Sequence, residues 1–179
     1  MNPVTITKKW VKNFVIDLNF CPFARRPFDA DRIHYILEET SEPAKIVETI
    51  RTEMQLLLKT KQYETSLIIL PNALSNFYDY LDFLEIANTL LLELGLEGVF
   101  QIASFHPSYQ FAGTQPEDVE NYTNRSPYPM IHILRESSVS WAVAKHPNTD
   151  QIPDQNIARL QALGREAVKK RWNELTAKN

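Results

Sequence analysis

The chain has 179 residues, of which 44% are hydrophobic, and its 19 basic and 22 acidic side chains give a formal net charge of −3 at pH 7. This length is sufficient for one hydrophobic core, so we expect a single α/β domain over residues 1–179. Acidic and basic side chains are spread along the whole chain, which argues against nucleic acid as a partner, because binding to duplex phosphates needs a basic stripe.

Two features of the sequence bear on location. Apolar runs such as residues 67–70 and 89–96 are far shorter than the roughly 18 residues of a membrane helix, and residues 1–20 lack the apolar stretch of a secretory signal. Cys21 is the only cysteine, which excludes an internal disulfide and a multi-cysteine metal site. We therefore expect a cytoplasmic protein without a membrane partner.

The N-terminal third of the chain predicts a helix, a strand and a second helix. Helical spacing of apolar residues begins after Thr5, a plausible N-cap, and should stop at Cys21, because the residue before a proline is pushed out of the α region. The β-branched and aromatic residues 32–38 favour a strand. Pro43 then opens an amphipathic helix.

The middle of the chain continues this alternation. Residues 66–70 are apolar without alternation, which is typical of a strand buried on both faces. A helix over 77–94, closed by Gly95, precedes a strand over 99–105. Strands that alternate with long helices favour parallel pairing through right-handed crossovers, so we expect the first three strands to be parallel.

The C-terminal part begins with a long irregular segment, 105–130, with a turn of helix at 116–122. A fourth strand over 130–136 and a helix over 137–146 follow, and after a loop Pro153 starts a last helix. The predicted fold is a two-layer or three-layer α/β sandwich of about four strands with covering helices. The buried stripe of the last helix is Ile157, Leu160, Leu163, Val168, Trp172 and Leu175.

The segment after the third strand carries candidate ligand-binding residues, since ligands of open α/β sheets bind beyond the carboxyl ends of parallel strands. His106 is the first residue past that end and can act as an acid–base group, bind a metal, or only cap the strand by hydrogen bonds to the loop. Tyr109 and Gln110 supply an aromatic wall and an amide, and Gly113 lets backbone approach a ligand. Alternatively, this loop only packs its own aromatic residues.

A second group of candidates surrounds the fourth strand. Asn124 and Arg125 precede two prolines, and the planar guanidinium of Arg125 suits a carboxylate or phosphate, so the predicted partner is a small anionic molecule. A salt bridge to an acidic residue of the same loop is the alternative for Arg125. His132 lies within the strand, where a core histidine is commoner than a ligand, and Arg135 ends the strand within reach of a substrate.

Cys21 is a candidate nucleophile. Arg25 and Arg26 would favour its thiolate form, whereas its apolar flanks fit a small buried hydrophobe. We expect the segment 19–26 to form one half of a pocket whose other half is the loop and strand 105–136.

Cofactors are not named by the sequence. Glycine occurs only at 95, 98, 113 and 164, so neither a GxGxxG turn nor a GxxxxGK[ST] phosphate loop exists, which excludes nucleotide binding by those two devices. A metal bound by His106 and His132 is conceivable chemically, but no ligand spacing supports it.

Three stretches of the chain have a known counterpart: LNFCPFA (18–24), GLEGVFQIASFHPSYQFAGT (95–114) and NYTNRSPYPMIHILRE (121–136). They resemble the bacterial family catalogued as domain of unknown function 1415, and the resemblance covers nearly the whole chain. That family has leucine where this chain has Phe20. The resemblance implies bacterial origin and a single domain but supplies no reaction. Its motif positions are Cys21, His106, Gln110, Gly113, Asn124, Arg125 and Arg135.

Three functions are open at this point. The first is an enzyme, a hydrolase or transferase acting on a small anionic metabolite, in which Arg125 and Arg135 hold the anion, His106 is the acid–base group and Cys21 the nucleophile. The second is a histidine-based metal-binding protein. The third is a non-catalytic binding or adaptor module that uses the aromatic loop.

Overall fold

A mixed four-stranded β-sheet organises the protein in a computed structural model that describes residues 2–146 and 148–176. Its strands in chain order are β1 (Ile33–Leu37), β2 (Thr65–Ile69), β3 (Phe100–Phe105) and β4 (Met130–Arg135), and their order in the sheet is β1-β2-β4-β3. β1 and β2 are parallel, whereas β4 is antiparallel to both β2 and β3.

This topology corrects the expectation that the first three strands pair in parallel, which holds only for β1 and β2. The reason lies in the segment after β3. It returns to the edge of the sheet that it left, where the backbone N–H of His106 donates to the carbonyl of Asn124 at 3.2 Å. β4 therefore starts where β3 ends, and it enters between β2 and β3.

Helices cover both faces of the sheet. On one face of the sheet, Leu67 and Met130 pack against the N- and C-terminal helices and form one hydrophobic core. On the other face, Ile68 and Ile131 pack against the two long central helices and form the second core. The molecule is thus a three-layer α/β sandwich. The helices are α1 (Pro3–Trp10), α2 (Arg25–Asp29), α3 (Pro43–Lys59), α4 (Phe77–Glu93), α5 (Glu136–Lys145), α6 (Ile152–Leu163) and α7 (Arg165–Thr176).

The N-terminal helix differs from its prediction at both ends. Its N-cap is Asn2, whose side chain accepts a hydrogen bond from the backbone of Val4 at 2.8 Å, and not Thr5. After Trp10 the chain continues as a π-helix, Val11–Ile16, and ends before Cys21. Asn19 then adopts a left-handed conformation, with φ of 53°, that turns the chain away from the helix.

The C-terminal helix is also divided. Gly164 has φ of 80° and separates α6 from α7, so the predicted single helix is wrong. Leu163 next to this break is 42% exposed and does not belong to the buried stripe, whereas Leu160 and Val168 do. The loop expected before Pro153 includes residue 147, which lies outside the described residues. None of the helices in the described part of the chain has the length and apolarity that a bilayer span requires.

Tyr80 of α4 links the ends of β3 and β4 by hydrogen bonds. Its fully buried hydroxyl donates to the carbonyl of Met130 at 2.7 Å and accepts from the backbone N–H of Phe105 at 2.9 Å. Burial raises the pKa of Tyr80, so the hydroxyl keeps its proton. This contact sits where the long loop leaves and rejoins the sheet.

Removing that hydroxyl should destabilise the fold. For Tyr80→Phe we expect the free energy of unfolding to fall by about 1–3 kcal/mol, because a buried carbonyl and N–H lose their partner. Urea denaturation followed by circular dichroism measures the change. Tyr78→Phe on the same helix is the control, since Tyr78 is 74% exposed. Equal stability of the two variants would show that the Tyr80 hydroxyl contributes nothing.

Candidate functional site

A cavity of about 520 Å³ lies beside the carboxyl end of β3, on the face covered by α1, α6 and α7. Three parts of the chain form it: the segment from the π-helix to Cys21, the loop after β3, and the first two turns of α6. Its volume is in the range of pockets that enclose small organic molecules. The lining residues are Val15, Phe20, Cys21, Phe105, Phe111, Thr114, Glu120, Thr123, Asn124, Ile152, Pro153, Asn156 and Ile157.

α6 positions Cys21 through the turn before it. Asn156 donates its side-chain N–H to the carbonyl of Phe20 at 2.8 Å, and Arg159 donates to the carbonyl of Asn19 at 3.1 Å. Arg159 also donates to the side-chain oxygen of Asn156 at 3.1 Å. Asn156 and Arg159 thus tie the left-handed turn at Asn19 to the helix, so Cys21 lines the cavity from a fixed backbone.

The protonation state of Cys21 follows from its surroundings. Burial raises the pKa of the thiol, and the backbone N–H groups of Phe23 and Ala24 only partly oppose this effect. Arg26 donates to Glu64 at 2.7 Å and lies over the ring of Trp141, so its charge is committed away from the sulfur. At neutral pH the group is a thiol, which is a polarisable and weakly polar part of the wall.

The loop between β3 and β4 is ordered by its own polar side chains. Asn121 is fully buried and accepts hydrogen bonds from the backbone of Phe111 and from the Thr114 hydroxyl, both at 2.9 Å, while it donates to the carbonyl of Gln115 at 2.8 Å. Gln110 donates to the carbonyl of Thr114 at 2.6 Å. The wall that this loop contributes to the cavity is therefore fixed.

Two residues that were predicted to bind a ligand support the structure of this loop. Gly113 has φ of 81°, and a side chain there would meet open space, so its backbone conformation and not a close approach is what requires glycine. Tyr109 packs its ring against Phe77 and Phe111, as the alternative interpretation of the loop proposed. Its hydroxyl lies 3.2 Å from the hydroxyl of Ser104.

Arg125 cross-links the backbone of the loop by hydrogen bonds. Its guanidinium donates to the carbonyls of Tyr109 at 3.2 Å and Pro116 at 2.5 Å, and it lies 4.6 Å from the ring centre of Tyr122. The donors expected to bind an anion, or to pair with an acidic side chain, instead meet backbone carbonyls.

Arg135 is at the opposite end of the sheet, since the antiparallel register places it next to Phe100. Its guanidinium donates to the carbonyls of Leu57, Thr60 and Tyr63 at the carboxyl end of α3. This is a helix cap, favoured by the negative end of the helix dipole. Arg125 and Arg135 therefore do not form a joint anion site.

His106 lies on the α4 face of the sheet, because successive residues at a strand end point to opposite faces. It is fully buried between Phe77 and Tyr80. Its Nε2 donates to the carbonyl of Leu74 at 3.0 Å, and its Nδ1 accepts from the backbone of Ser108 at 3.0 Å. Burial lowers the pKa of His106, so the ring is neutral. The geometry is that of the capping interpretation, with the sheet between His106 and Cys21.

His132 lies on the other face, beside Thr65. The Thr65 hydroxyl donates to the carbonyl of Ile133 at 2.6 Å, so it must accept from Nε2 of His132, which is 2.7 Å away. Nδ1 is buried and has no partner in the structure. Burial lowers the pKa of His132 to about 4. Within residues 2–146 and 148–176, no three histidine, cysteine or acidic side chains lie where they could hold one metal ion.

Residues 3–170 match the model of a family described as protein of unknown function (DUF1415). The chain belongs to this family. A search of curated proteins and a search of solved structures give no significant match. The matched range includes every residue that lines the cavity.

The positions that the family resemblance singles out divide by location. Cys21 and Asn124 line the cavity. His106, Gln110 and Arg125 hold the backbone of the loop that forms one of its walls.

Sequence reasoning missed several residues of the site: Glu120, considered only as a salt-bridge acceptor for Arg125; Asn121, the polar centre of the loop; and Asn156, which lies one position before the apolar stripe of α6. A buried asparagine has no distinguishing pattern in a loop. At Asn156, however, the stripe residue Leu160 gave a signal, because residues four positions apart lie on the same face of a helix.

Replacing His132 should change how stability depends on pH. The pKa of His132 is 6.5 in its usual state and about 4 in the fold, so between these values the unfolded chain binds a proton that the folded chain does not. Its contribution is complete above the unfolded pKa and is lost as pH falls toward the folded pKa. Acidification from about pH 7 to about pH 5 should therefore destabilise the wild type by about 1–2 kcal/mol more than His132→Gln.

Urea unfolding at a series of pH values measures this difference. Glutamine does not titrate and its amide can still donate to Thr65. His146→Gln, at an exposed histidine, is the control and should follow the wild type. Parallel pH profiles for wild type and His132→Gln would contradict the assignment.

Arg125→Lys should loosen the loop after β3. A lysine cannot donate to two carbonyls in a fixed plane, so we expect faster amide hydrogen exchange over 109–124 and a loss of about 1–2 kcal/mol of stability. Exchange measured by mass spectrometry locates the effect. Arg25→Lys, at an exposed arginine, should leave the same peptides protected. Unchanged protection in Arg125→Lys would show that the guanidinium does not hold the loop.

Proposed function

We propose that the protein binds a small, mainly apolar molecule in the cavity beside β3. The observation that carries this proposal is a concave space of about 520 Å³ walled by aromatic and aliphatic side chains. The apolar lining includes Phe20, Phe105 and Phe111, together with Ile152 and Ile157 of α6. Apolar walls of this kind favour a ligand that leaves water for contact with carbon.

A few polar groups interrupt the apolar walls and would orient the ligand. Thr123 and Asn124 line the cavity, but each already donates to a backbone carbonyl, Thr123 to Glu120 at 2.8 Å and Asn124 to Ser104 at 3.1 Å. Thr114 and Asn156 are engaged likewise, by Asn121 and by the carbonyl of Phe20, which leaves the Cys21 thiol and the Glu120 carboxylate. Their small number suits a ligand with one polar end.

The charge of the lining bears on the predicted ligand. No lysine, arginine or histidine is among the residues that form the cavity in the described chain. A small anionic metabolite would therefore find no positive side chain, because the Arg125 guanidinium is directed at the carbonyls of Tyr109 and Pro116. This supports an uncharged or cationic ligand over the anion expected from the sequence.

Binding without a cysteine–histidine reaction is the version we propose. His106 lies across the sheet from Cys21, and both of its ring nitrogens are occupied by backbone groups. Burial also keeps Cys21 in the thiol form. In this proposal the ligand is a small molecule of the bacterial cytoplasm, and neither nucleic acid nor a membrane is a partner.

Filling the cavity tests the proposal. A panel of apolar fragments that each carry one polar group is screened by thermal shift. A fragment that binds should stabilise the wild type by about 2.7 kcal/mol when its free concentration is about 100 times its Kd. Ile157→Trp places a large ring in the cavity and should abolish that gain. Leu163→Trp on the same helix is the matched control, because Leu163 is 42% exposed.

Cys21 provides a second readout, since it is the only thiol in the chain. A bound fragment should slow alkylation of Cys21 by iodoacetamide at least severalfold, as followed by intact mass. The proposal is wrong if no fragment stabilises the protein, or if fragments stabilise Ile157→Trp and the wild type equally.

A further inference from the structure

Glu120 is the only acidic side chain that lines the cavity in the described chain, and it is half-buried there. It lies on a 3-10 turn, Val119–Thr123, that packs against α6. Its carboxylate has no hydrogen bond and no ion pair with any residue of 2–146 or 148–176. A carboxylic side chain thus lines a mainly apolar cavity, and no residue of the described chain pairs with it.

The neighbouring charged groups show that this arrangement is specific to Glu120. Asp118 in the same loop accepts a hydrogen bond from the backbone of Gln115 at 2.7 Å, so its carboxylate closes a turn. Arg125, five positions after Glu120, directs its donors to Tyr109 and Pro116. Arg125 therefore does not pair with Glu120. The carboxylate of Glu120 is left without a basic partner among the described residues.

We infer that Glu120 makes the cavity selective for a ligand that carries a protonated amine or a similar organic cation on an apolar body. The inference rests on the proposed function and names the ligand class of the same site. An N–H donor with a positive charge forms a stronger hydrogen bond to a carboxylate than a neutral donor does. The attraction increases where apolar walls exclude water. Phe105 and Phe111 line the same cavity, and an organic cation is attracted to the face of an aromatic ring.

Three probes that share one apolar body separate the contribution of charge: phenethylamine, phenethyl alcohol and hydrocinnamate. Their binding to the full chain near neutral pH is measured by calorimetry, and amide chemical shifts locate the site. For the wild type we expect the amine to bind about tenfold more tightly than the alcohol, and hydrocinnamate to bind most weakly.

Glu120→Gln keeps the shape of the side chain and removes its charge. We expect this variant to bind the amine no better than the alcohol, while its affinity for the alcohol stays within about twofold of the wild type. Glu117→Gln, at an exposed position of the same loop, is the control and should keep the preference for the amine. Circular dichroism and the melting temperature establish that each variant is folded.

The outcomes separate this inference from the proposed function. If the alcohol binds in the cavity but the amine has no advantage, or if Glu120→Gln keeps the advantage, the selectivity is disproved and the binding cavity stands. Tightest binding of hydrocinnamate would also overturn the selectivity. If none of the three probes shifts the signals of cavity residues at millimolar concentration, both are overturned.

Discussion

The antiparallel pairing of β3 with β4 determines which side chains can meet at the cavity. Phe105 pairs with Met130 at one end and Phe100 pairs with Arg135 at the other, so the residues before and after the long loop share one edge of the sheet. The alternation of side chains along a strand then separates neighbours. Phe105 points to the cavity on the α6 face, and His106 points to α4 on the other face.

The loop that this pairing closes would be costly to order without internal support, since it is long and has little regular structure. Polar side chains that are buried or half-buried supply that support. Asn121, Arg125 and His106 each bond to backbone groups of this loop or of the loop before α4. Leu74 shows how firmly the second loop is held, because its backbone has φ of 56°, which is rare for a leucine, and its carbonyl accepts from His106. The protein's own hydrogen bonds thus fix the walls of the cavity.

Periodicity predicted the elements well because it reflects burial directly. β2 carries the apolar run 67–69 and is buried throughout, since helices cover both its faces, and α3 and α4 show the stripe of a helix with one buried side. Strand pairing was beyond this reasoning, because a strand's own pattern does not say which neighbour it bonds to. The insertion of β4 depended on a loop whose path is set by single hydrogen bonds, such as that from His106 to Asn124.

The sequence predicted some of the residues that line the cavity and missed others. Phe20 and Cys21 of the segment 19–26 and residues within 105–124 line it, whereas β4 does not, and α6 forms a wall that the sequence marked only as core. Arginine and histidine were weighed for what they can bind, and the structure shows them bonded to carbonyls that no sequence pattern identifies. A guanidinium has the same donors for a backbone carbonyl as for a ligand, so residue type alone could not distinguish Arg125 as a structural residue.

The position of Cys21 in the cavity has a consequence for chemical profiling of this protein. Reagents that label thiols would place their adduct inside the cavity and occupy it, whatever part sulfur plays in the biology. Loss of function on such treatment, commonly taken as the mark of a nucleophilic cysteine, would here follow from simple obstruction. A small replacement such as Cys21→Ala separates the two, because it deletes the nucleophile and leaves the space open.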